Sequence, residues 1–193
     1  MVEASDTWGG MGPVRDRAAT EVAVGTILGE GRYIRLREEQ GWEWCERVNA
    51  SGIVVVVAVT PGGELLLVEQ FRPPMGCRVL ELPAGLAGDH DDPSEAMAVA
   101  AGRELEEETG WAAARLEALT KGPVSAGMTT EVLSWFRAHD LRRVGAGGGD
   151  ASEDIVVHAV PLAEVPAFIA QRGEAGVMTD PKVYAGLWFA HQG

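Results

Sequence analysis

The sequence Arg103-Glu104-Leu105-Glu106-Glu107-Glu108-Thr109-Gly110 places four glutamates within eight residues and ends on glycine. Each residue of an α-helix advances by about 100°, so Glu104, Glu107 and Glu108 share one face and Glu106 lies nearly opposite. Like charges at this spacing repel by roughly 0.2–0.5 kcal/mol per exposed pair, and the negative end of the helix dipole adds to the penalty. The pattern indicates either a solvated acidic face or a site for a divalent cation such as Mg²⁺, which prefers oxygen ligands.

The residues on either side of this stretch define the expected helix. Pro93-Ser94-Glu95 is predicted to open the helix, because proline and acidic residues are favoured in a first turn. Gly110 is a natural C-terminal cap. On this helix Glu95 would lie with Glu106, opposite the three co-facial glutamates, and Arg103 would lie one turn before Glu107 and orient it.

The rest of the chain alternates between strand and helix patterns. Residues 21–50 form short strands, and the apolar β-branched run 52–60 suits a strand buried on both faces. Pro61-Gly62-Gly63 predicts a hairpin to a strand over 64–71, because these are turn-forming residues. Further strands are expected over 78–82, 115–120, 131–138 and 155–160, helices over 161–172 and 180–191, and a mobile glycine-rich loop over 145–154. The fold class is α/β (α+β), a sandwich with a mixed β-sheet, divided into an N-terminal β unit (1–50) and a main domain (51–193).

Composition excludes several classes of function. The net charge is −13 and the pI about 4.7, so the chain repels nucleic acid and anionic membranes. A phosphorylated substrate would also be repelled unless a cation reverses the local field. The first twenty residues lack a signal-peptide core and no apolar run is long enough to span a bilayer. Cys45 and Cys77 are expected to be free thiols, and the protein is expected to be cytoplasmic.

Together with Glu95 and Trp111, the glutamate-rich stretch resembles the signature of the Nudix hydrolases. Gly85 is the best match for the opening glycine of that signature, with four more residues than usual before Glu95. Those residues belong either to a loop or to one extra helical turn. The segments 68–74, 81–85, 127–131 and 153–162 resemble the ADP-ribose or ADP-sugar pyrophosphatase branch, which implies an α/β/α sandwich with a small N-terminal β unit.

The resemblance assigns roles to residues by position. It implies that Mg²⁺, with Mn²⁺ as an alternative, is held by the Ala84 carbonyl and by Glu104, Glu107 and Glu108. A glutamate on a late loop serves as general base, for which Glu153 is the best match and Asp154 and Asp150 are rivals. Catalysis is thereby assigned to Glu153, Glu107 and Arg103. Substrate binding is assigned to Arg72 on a phosphate and to Trp42, Trp44, Arg47 and Glu81.

The resemblance implies Mg²⁺-dependent hydrolysis of ADP-ribose or another ADP-sugar, giving AMP and a sugar phosphate. Alternatives are GDP-mannose or an oxidised nucleoside diphosphate as substrate, or a non-catalytic nucleotide-sugar sensor. Trp42 and Trp44 are two residues apart, so on a strand they share a face and either could stack on adenine, while Arg47 points to the other face. Tyr33, Trp42 and Trp44 give the small β unit more apolar surface than it can bury alone. A homodimer that shares this unit is therefore expected.

Overall fold

A computed structural model describes residues 3–5, 25–48, 50–88, 92, 94–149 and 154–192 of the 193-residue chain. Its central sheet is built around the apolar run that the sequence marks as a buried strand. The strand order is β1 (Glu3–Ser5), β10 (Arg115–Pro123), β11 (Val132–His139), β5 (Gly52–Ala58) and β8 (Ala84–Ala87). The sheet is mixed, because β5 runs parallel to β11 and antiparallel to β8.

A second sheet and the N-terminal sheet complete the β structure. The second sheet has the order β13 (Val156–Pro161), β6 (Glu64–Arg72), β7 (Cys77–Glu81) and β14 (Met178–Thr179). The N-terminal sheet is an antiparallel meander of β2 (Thr26–Glu30), β3 (Ile34–Glu39) and β4 (Trp42–Arg47). A short pair joins β9 (Trp111–Ala112) to β12 (Arg142–Arg143).

Helices pack on both sides of the central sheet. The helices are α1 (Met97–Thr109), α2 (Val165–Glu174) and α3 (Pro181–Ala190), with a 3-10 turn at Leu162–Glu164. Val54, Val56 and Ala58 of β5 pack in one apolar cluster with α1, whereas Val55 and Val57 pack in a second cluster with α2 and α3. The predicted α/β/α sandwich with a mixed sheet is confirmed, and so is the burial of this strand on both faces. Among the three described helices, none has the length and hydropathy needed to cross a bilayer.

The predicted hairpin between residues 52–60 and 64–71 is wrong. β5 and β6 belong to different sheets and share a single bridge, Val59 to Leu65. Both edges of β5 are already taken by β11 and β8, so the turn after β5 sends the chain across to the other sheet. The short strand β8, which positions residues 84–87, is absent from the sequence prediction because Pro83-Ala84-Gly85 has the composition of a turn.

Candidate active site

The glutamates of α1 lie beside the strand β8. Ala98, Ala101 and Leu105 are buried at helical spacing and turn one face of α1 towards the core. The helix ends at Gly110, which has φ 73° and donates its N–H to the Glu106 carbonyl. The predicted C-terminal cap is thus present.

Glu104 and Glu108 contact the two residues that begin β8. The Ala84 N–H donates to the Glu108 carboxylate at 3.0 Å, and this side chain belongs to a residue only 3% exposed. A β-carbon at Gly85 would overlap the Glu104 carboxylate, so only glycine allows this approach. The structure therefore brings together the predicted ligands Ala84, Glu104 and Glu108.

Arg103 binds three carboxylates of this cluster. Its guanidinium donates to Glu95 at 3.1 Å, Glu104 at 2.9 Å and Glu107 at 3.1 Å, and also to the Leu86 carbonyl at 2.9 Å. Burial lowers the pKa of Arg103, but the Glu95 and Glu104 carboxylates outweigh it and raise the pKa above its ordinary value. Arg103 orients Glu107, as the helical spacing predicts, and it holds Glu104 as well.

The predicted position of Glu95 is wrong. Helix α1 begins at Met97 with Ala96 as its N-cap, so Glu95 precedes the helix and does not lie on the face opposite the glutamates. Instead, Glu95 accepts hydrogen bonds from Gly88 N–H and Arg103. The four additional residues before Glu95 therefore add no turn to α1 and belong to the segment between β8 and the helix.

Three carboxylates of the cluster converge on Arg103. Glu95, Glu104 and Glu107 share the single guanidinium of Arg103, and Glu108 is held by a backbone N–H. Within the described part of the chain, no three carboxylate, imidazole or thiol groups converge in this conformation to hold a metal ion. One nitrogen of Arg103 donates to both Glu104 and Glu107, and the Glu107 side chain remains 48% exposed.

Arg72 and Glu81 form a second pair on the neighbouring strands β6 and β7. The Arg72 side chain donates to Glu81 at 2.7 Å and remains 42% exposed, whereas Glu81 is largely buried. Glu81 lies three residues before Ala84 in the chain. The pair thus presents a partly exposed guanidinium whose orientation is set by a buried carboxylate.

The predicted base-stacking residues lie in the N-terminal sheet, outside the carboxylate cluster. Trp42 is 67% exposed. Trp44 is half-buried against Gly25, and its indole N–H is buried without a hydrogen-bond partner among the described residues. Arg47 pairs with Glu131 at 2.7 Å. Because Cys45 N–H also donates to the Met128 carbonyl, β4 is attached to the turn before β11.

The described part of the glycine-rich segment is hydrogen-bonded to the end of α1. The N–H groups of Gly148 and Gly149 donate to the Glu108 and Glu107 carbonyls, and that of Gly145 donates to the Gly110 carbonyl. The mobility expected for residues 145–154 stays a prediction. Glu153 and Asp150 lie outside the described residues. The rival base Asp154 is bound by Arg78, which donates to its carboxylate at 2.8 Å and to its carbonyl at 3.1 Å.

One charged network was missed by the sequence reasoning. Glu69, only 2% exposed, accepts two hydrogen bonds from Arg172 at 2.8 Å and one from Arg78 at 3.0 Å, and contacts His158 at 3.3 Å. Burial tends to raise the pKa of Glu69, but the hydrogen bonds from Arg172 and His158 hold it below its ordinary value. The available signal was Glu69 directly after the apolar run 65–68, because a glutamate in a buried strand requires charged partners.

Comparisons with known proteins agree with this arrangement. The sequence matches the NUDIX domain over residues 49–180. An ADP-sugar pyrophosphatase of Mus musculus is 44% identical over 86% of this chain and 85% of its own length. An ADP-ribose pyrophosphatase of Mycobacterium tuberculosis is 32% identical over 89% of this chain and 83% of its own length. Two further relatives are matched over only 50% and 51% of their length.

A solved structure described as an ADP compounds hydrolase superposes with a TM-score of 0.63. The comparison covers 90% of this chain and 96% of that one at 21% identity, so it bears on the fold alone. The family match covers more than half of the chain and includes the whole carboxylate helix with β8. The resemblance drawn from the signature is confirmed, and the chain belongs to the NUDIX domain family.

Proposed function

We propose that this protein hydrolyses the diphosphate bond of ADP-ribose or another ADP-sugar, in a reaction that requires Mg²⁺ or Mn²⁺. The observation that carries the proposal is the pairing of Glu104 and Glu108 with Gly85 and Ala84. It places the buried carboxylate of Glu108 and the largely buried carboxylate of Glu104 beside the start of β8. The two relatives named above act, by their names, on ADP-ribose and ADP-sugars.

The residues of the cluster fit a hard divalent cation. The donors are carboxylate oxygens, which Mg²⁺ and Mn²⁺ prefer. Glu104, Glu107, Glu108 and the Ala84 carbonyl would hold the ion, and Arg103 would keep Glu104 oriented. When bound, the cation would supply neutralisation of the charge that develops on the diphosphate oxygens.

The remaining steps belong to side chains of the protein. Arg72 would bind a phosphate oxygen, with Glu81 holding the guanidinium in position. Glu153 would accept the proton of the attacking water, and general-base help of this kind is typically worth about 10²–10⁴-fold in rate. Asp154 is the weaker rival because its carboxylate is already engaged by Arg78.

A homodimer is part of the proposal. The N-terminal sheet exposes Ile27 and Trp42 on one face and Ile34 and Leu36 on the other, with Leu28 and Tyr33 also exposed. Covering the face that carries Trp42 with a second copy would bury its apolar side chains and could bring Trp42 onto the adenine of a neighbouring site. A cytoplasmic location also belongs here, since Cys45 and Cys77 are free thiols, as a reducing compartment would keep them.

The test is a panel of ADP-ribose, ADP-glucose and GDP-mannose incubated with the protein and Mg²⁺, with products separated by chromatography. ADP-ribose should yield AMP and ribose 5-phosphate. Preferential turnover of GDP-mannose would identify GDP-mannose as the substrate instead of an ADP-sugar. Binding of ADP-ribose without turnover would indicate a non-catalytic nucleotide-sugar sensor. Glu153→Gln and Asp154→Asn in the same assay decide the base, because only the true base should lower kcat while sparing KM.

A further inference from the structure

The end of the carboxylate helix is capped by backbone from a distant part of the chain. Gly148 N–H donates to the Glu108 carbonyl at 2.8 Å and Gly149 N–H donates to the Glu107 carbonyl at 3.0 Å. Gly145 N–H donates to the Gly110 carbonyl at 3.0 Å. Carbonyls in the last turn of a helix lack partners within the helix, so this segment satisfies groups that would otherwise need water. We call residues 145–149 the glycine strap.

The strap approaches the helix more closely than any side chain would allow. Gly147 has φ +73°, and a β-carbon there would overlap the Thr109 carbonyl carbon and lie 2.7 Å from the Glu108 oxygen. A β-carbon at Gly110 would likewise overlap the Gly145 carbonyl and lie 2.7 Å from Gly147 N. The neighbouring atoms are backbone on both sides, so no rotation of a side chain would relieve such a clash. The close packing therefore depends on glycine.

Glu107 and Glu108 are each bound twice. The strap binds their backbone carbonyls, and residues of the carboxylate cluster bind their side chains. Glu108 has its carbonyl bound by Gly148 and its carboxylate bound by the Ala84 N–H. Glu107 has its carbonyl bound by Gly149 and its carboxylate bound by Arg103. A movement of the strap would therefore shift the backbone from which both carboxylates project.

We propose that the glycine strap positions Glu107 and Glu108 for metal binding and catalysis, and that Gly147 is its key positioning residue. The inference rests on the proposed function, since it assigns the purpose of the strap to the same site. A glycine-rich sequence of this kind is usually a flexible linker, but here its backbone is hydrogen-bonded to the end of the helix. Its contribution is geometric, because none of its atoms needs to touch the substrate.

The experiment compares Gly147→Ala with Gly63→Ala. Gly63, in the turn between β5 and β6, has φ +77° and open space around its β-carbon position, so its substitution imposes similar backbone strain without a clash. Gly147→Ala should lower kcat for ADP-ribose roughly 10- to 100-fold with little change in KM, since small misplacements of catalytic groups have effects of this size. Mn²⁺ binding, measured by electron paramagnetic resonance without substrate, should weaken about 10- to 100-fold. Gly63→Ala should change neither.

The proposal is overturned if Gly147→Ala keeps a native near-ultraviolet spectrum and matches Gly63→Ala in kcat and Mn²⁺ affinity. If Gly147→Ala does not fold, amide exchange in the wild-type protein decides. Slow exchange at Gly148 and Gly149 supports the strap, and exchange at the rate of an unstructured chain rules it out. Mn²⁺ binding and amide exchange need no substrate, so both remain decisive if the wild-type protein hydrolyses none of the proposed compounds.

Discussion

At the scale of single residues, the glutamates of α1 differ in what surrounds them. Glu108 is almost fully buried and accepts a hydrogen bond from the Ala84 N–H. The Glu107 side chain is half exposed and forms an ion pair with Arg103. Glu106 is exposed on the other side of the helix. Identical side chains within three positions therefore have different roles. Spacing alone separates Glu106 from the others, but the burial of Glu108 follows only from the packing of β8.

Glu108→Gln should lower kcat by roughly 10²-fold or more, because it removes a buried charge from the proposed cation site. An amide oxygen can still accept the Ala84 N–H, so the melting temperature should change little. Glu106→Gln is the matched control and should leave kcat nearly unchanged. Steady-state kinetics with ADP-ribose and Mg²⁺ provide the measurement. Equal losses in the two variants would show that the helix face has been assigned wrongly.

The error at Glu95 shows the limit of local signals. Pro93, Ser94 and Glu95 are favoured in a first helical turn, and the sequence offers no reason to delay the helix. In the structure, the Asp92 carboxylate accepts hydrogen bonds from the N–H and hydroxyl of Ser94, and the Asp92 carbonyl accepts one from the Glu95 N–H. Glu95 accepts hydrogen bonds from Arg103, eight residues later in the chain, and from Gly88, seven residues earlier. Tertiary contacts of this kind cannot be inferred from spacing.

At the scale of secondary-structure elements, the N-terminal sheet joins the rest of the chain mainly through β4. Cys45 exchanges backbone hydrogen bonds with Met128 and Thr130, and Arg47 pairs with Glu131. The two tryptophans of β4 are in different surroundings, since Trp42 is mostly exposed and Trp44 packs against Gly25. These surroundings favour Trp42 as the ligand-facing residue and Trp44 as a structural one.

Trp42→Ala should raise KM for ADP-ribose roughly 5- to 150-fold with kcat closer to normal, since base–aromatic stacking is worth about 1–3 kcal/mol in ground and transition states alike. Trp44→Ala should instead lower the melting temperature, because it removes the half-buried indole. Kinetics and thermal unfolding of both variants separate the two roles, and sedimentation gives the oligomeric state. A fully active monomer, or the kinetic pattern appearing at Trp44 alone, would contradict the shared site.

The sequence predicts the positions of strands and helices better than it predicts which strands pair with each other. The strands at 115–120 and 131–138 and the helices at 161–172 and 180–191 correspond to β10, β11, α2 and α3, since periodicity is a local property. The pairing of β5 with β11 and β8 is non-local, so the sequence suggested a hairpin with β6 instead. The close packing of the glycine strap against α1 was not predicted, because residue type does not distinguish a glycine needed for close backbone packing from a glycine in a flexible loop.

At the scale of the whole molecule, a buried charged network connects the second sheet to α2. Glu69 of β6 binds Arg172 of α2, Arg78 of β7 and His158 of β13. Burial lowers the pKa of His158, and the contact with Glu69 offsets this only in part. Glu69 and His158 both have a lowered pKa in the folded protein, so both make stability depend on pH in the same direction.

The unfolded chain takes up protons before the folded one as the pH falls, first at His158 below about pH 6.5 and then at Glu69 below about pH 4.5. The stabilisation is therefore fully present near neutral pH and is lost as the pH falls through these values. Glu69→Gln should cost about 1–3 kcal/mol at pH 7, because charged partners lose a buried acceptor. It should also remove the part of the acid dependence that Glu69 contributes below about pH 4.5.

The control is Glu117→Gln, which breaks a more exposed pair with His139 and should cost about 0–1 kcal/mol. Thermal unfolding between pH 4 and pH 8 provides the comparison. A wild-type protein whose melting temperature is constant over this range would contradict the role given to the network, as would an equal loss in the two variants.

The central claim is tested most directly by incubating the purified protein with ADP-ribose in a chelator, then adding Mg²⁺ in excess and following AMP and ribose 5-phosphate by chromatography. The account predicts no products in chelator, full recovery of both products in equal amounts with Mg²⁺, and recovery about 10²-fold slower or more with Glu108→Gln. Full turnover in chelator would contradict the assignment of the carboxylate helix as a metal site. Absence of cleavage of any nucleoside diphosphate sugar in the presence of Mg²⁺ would contradict the proposed reaction itself.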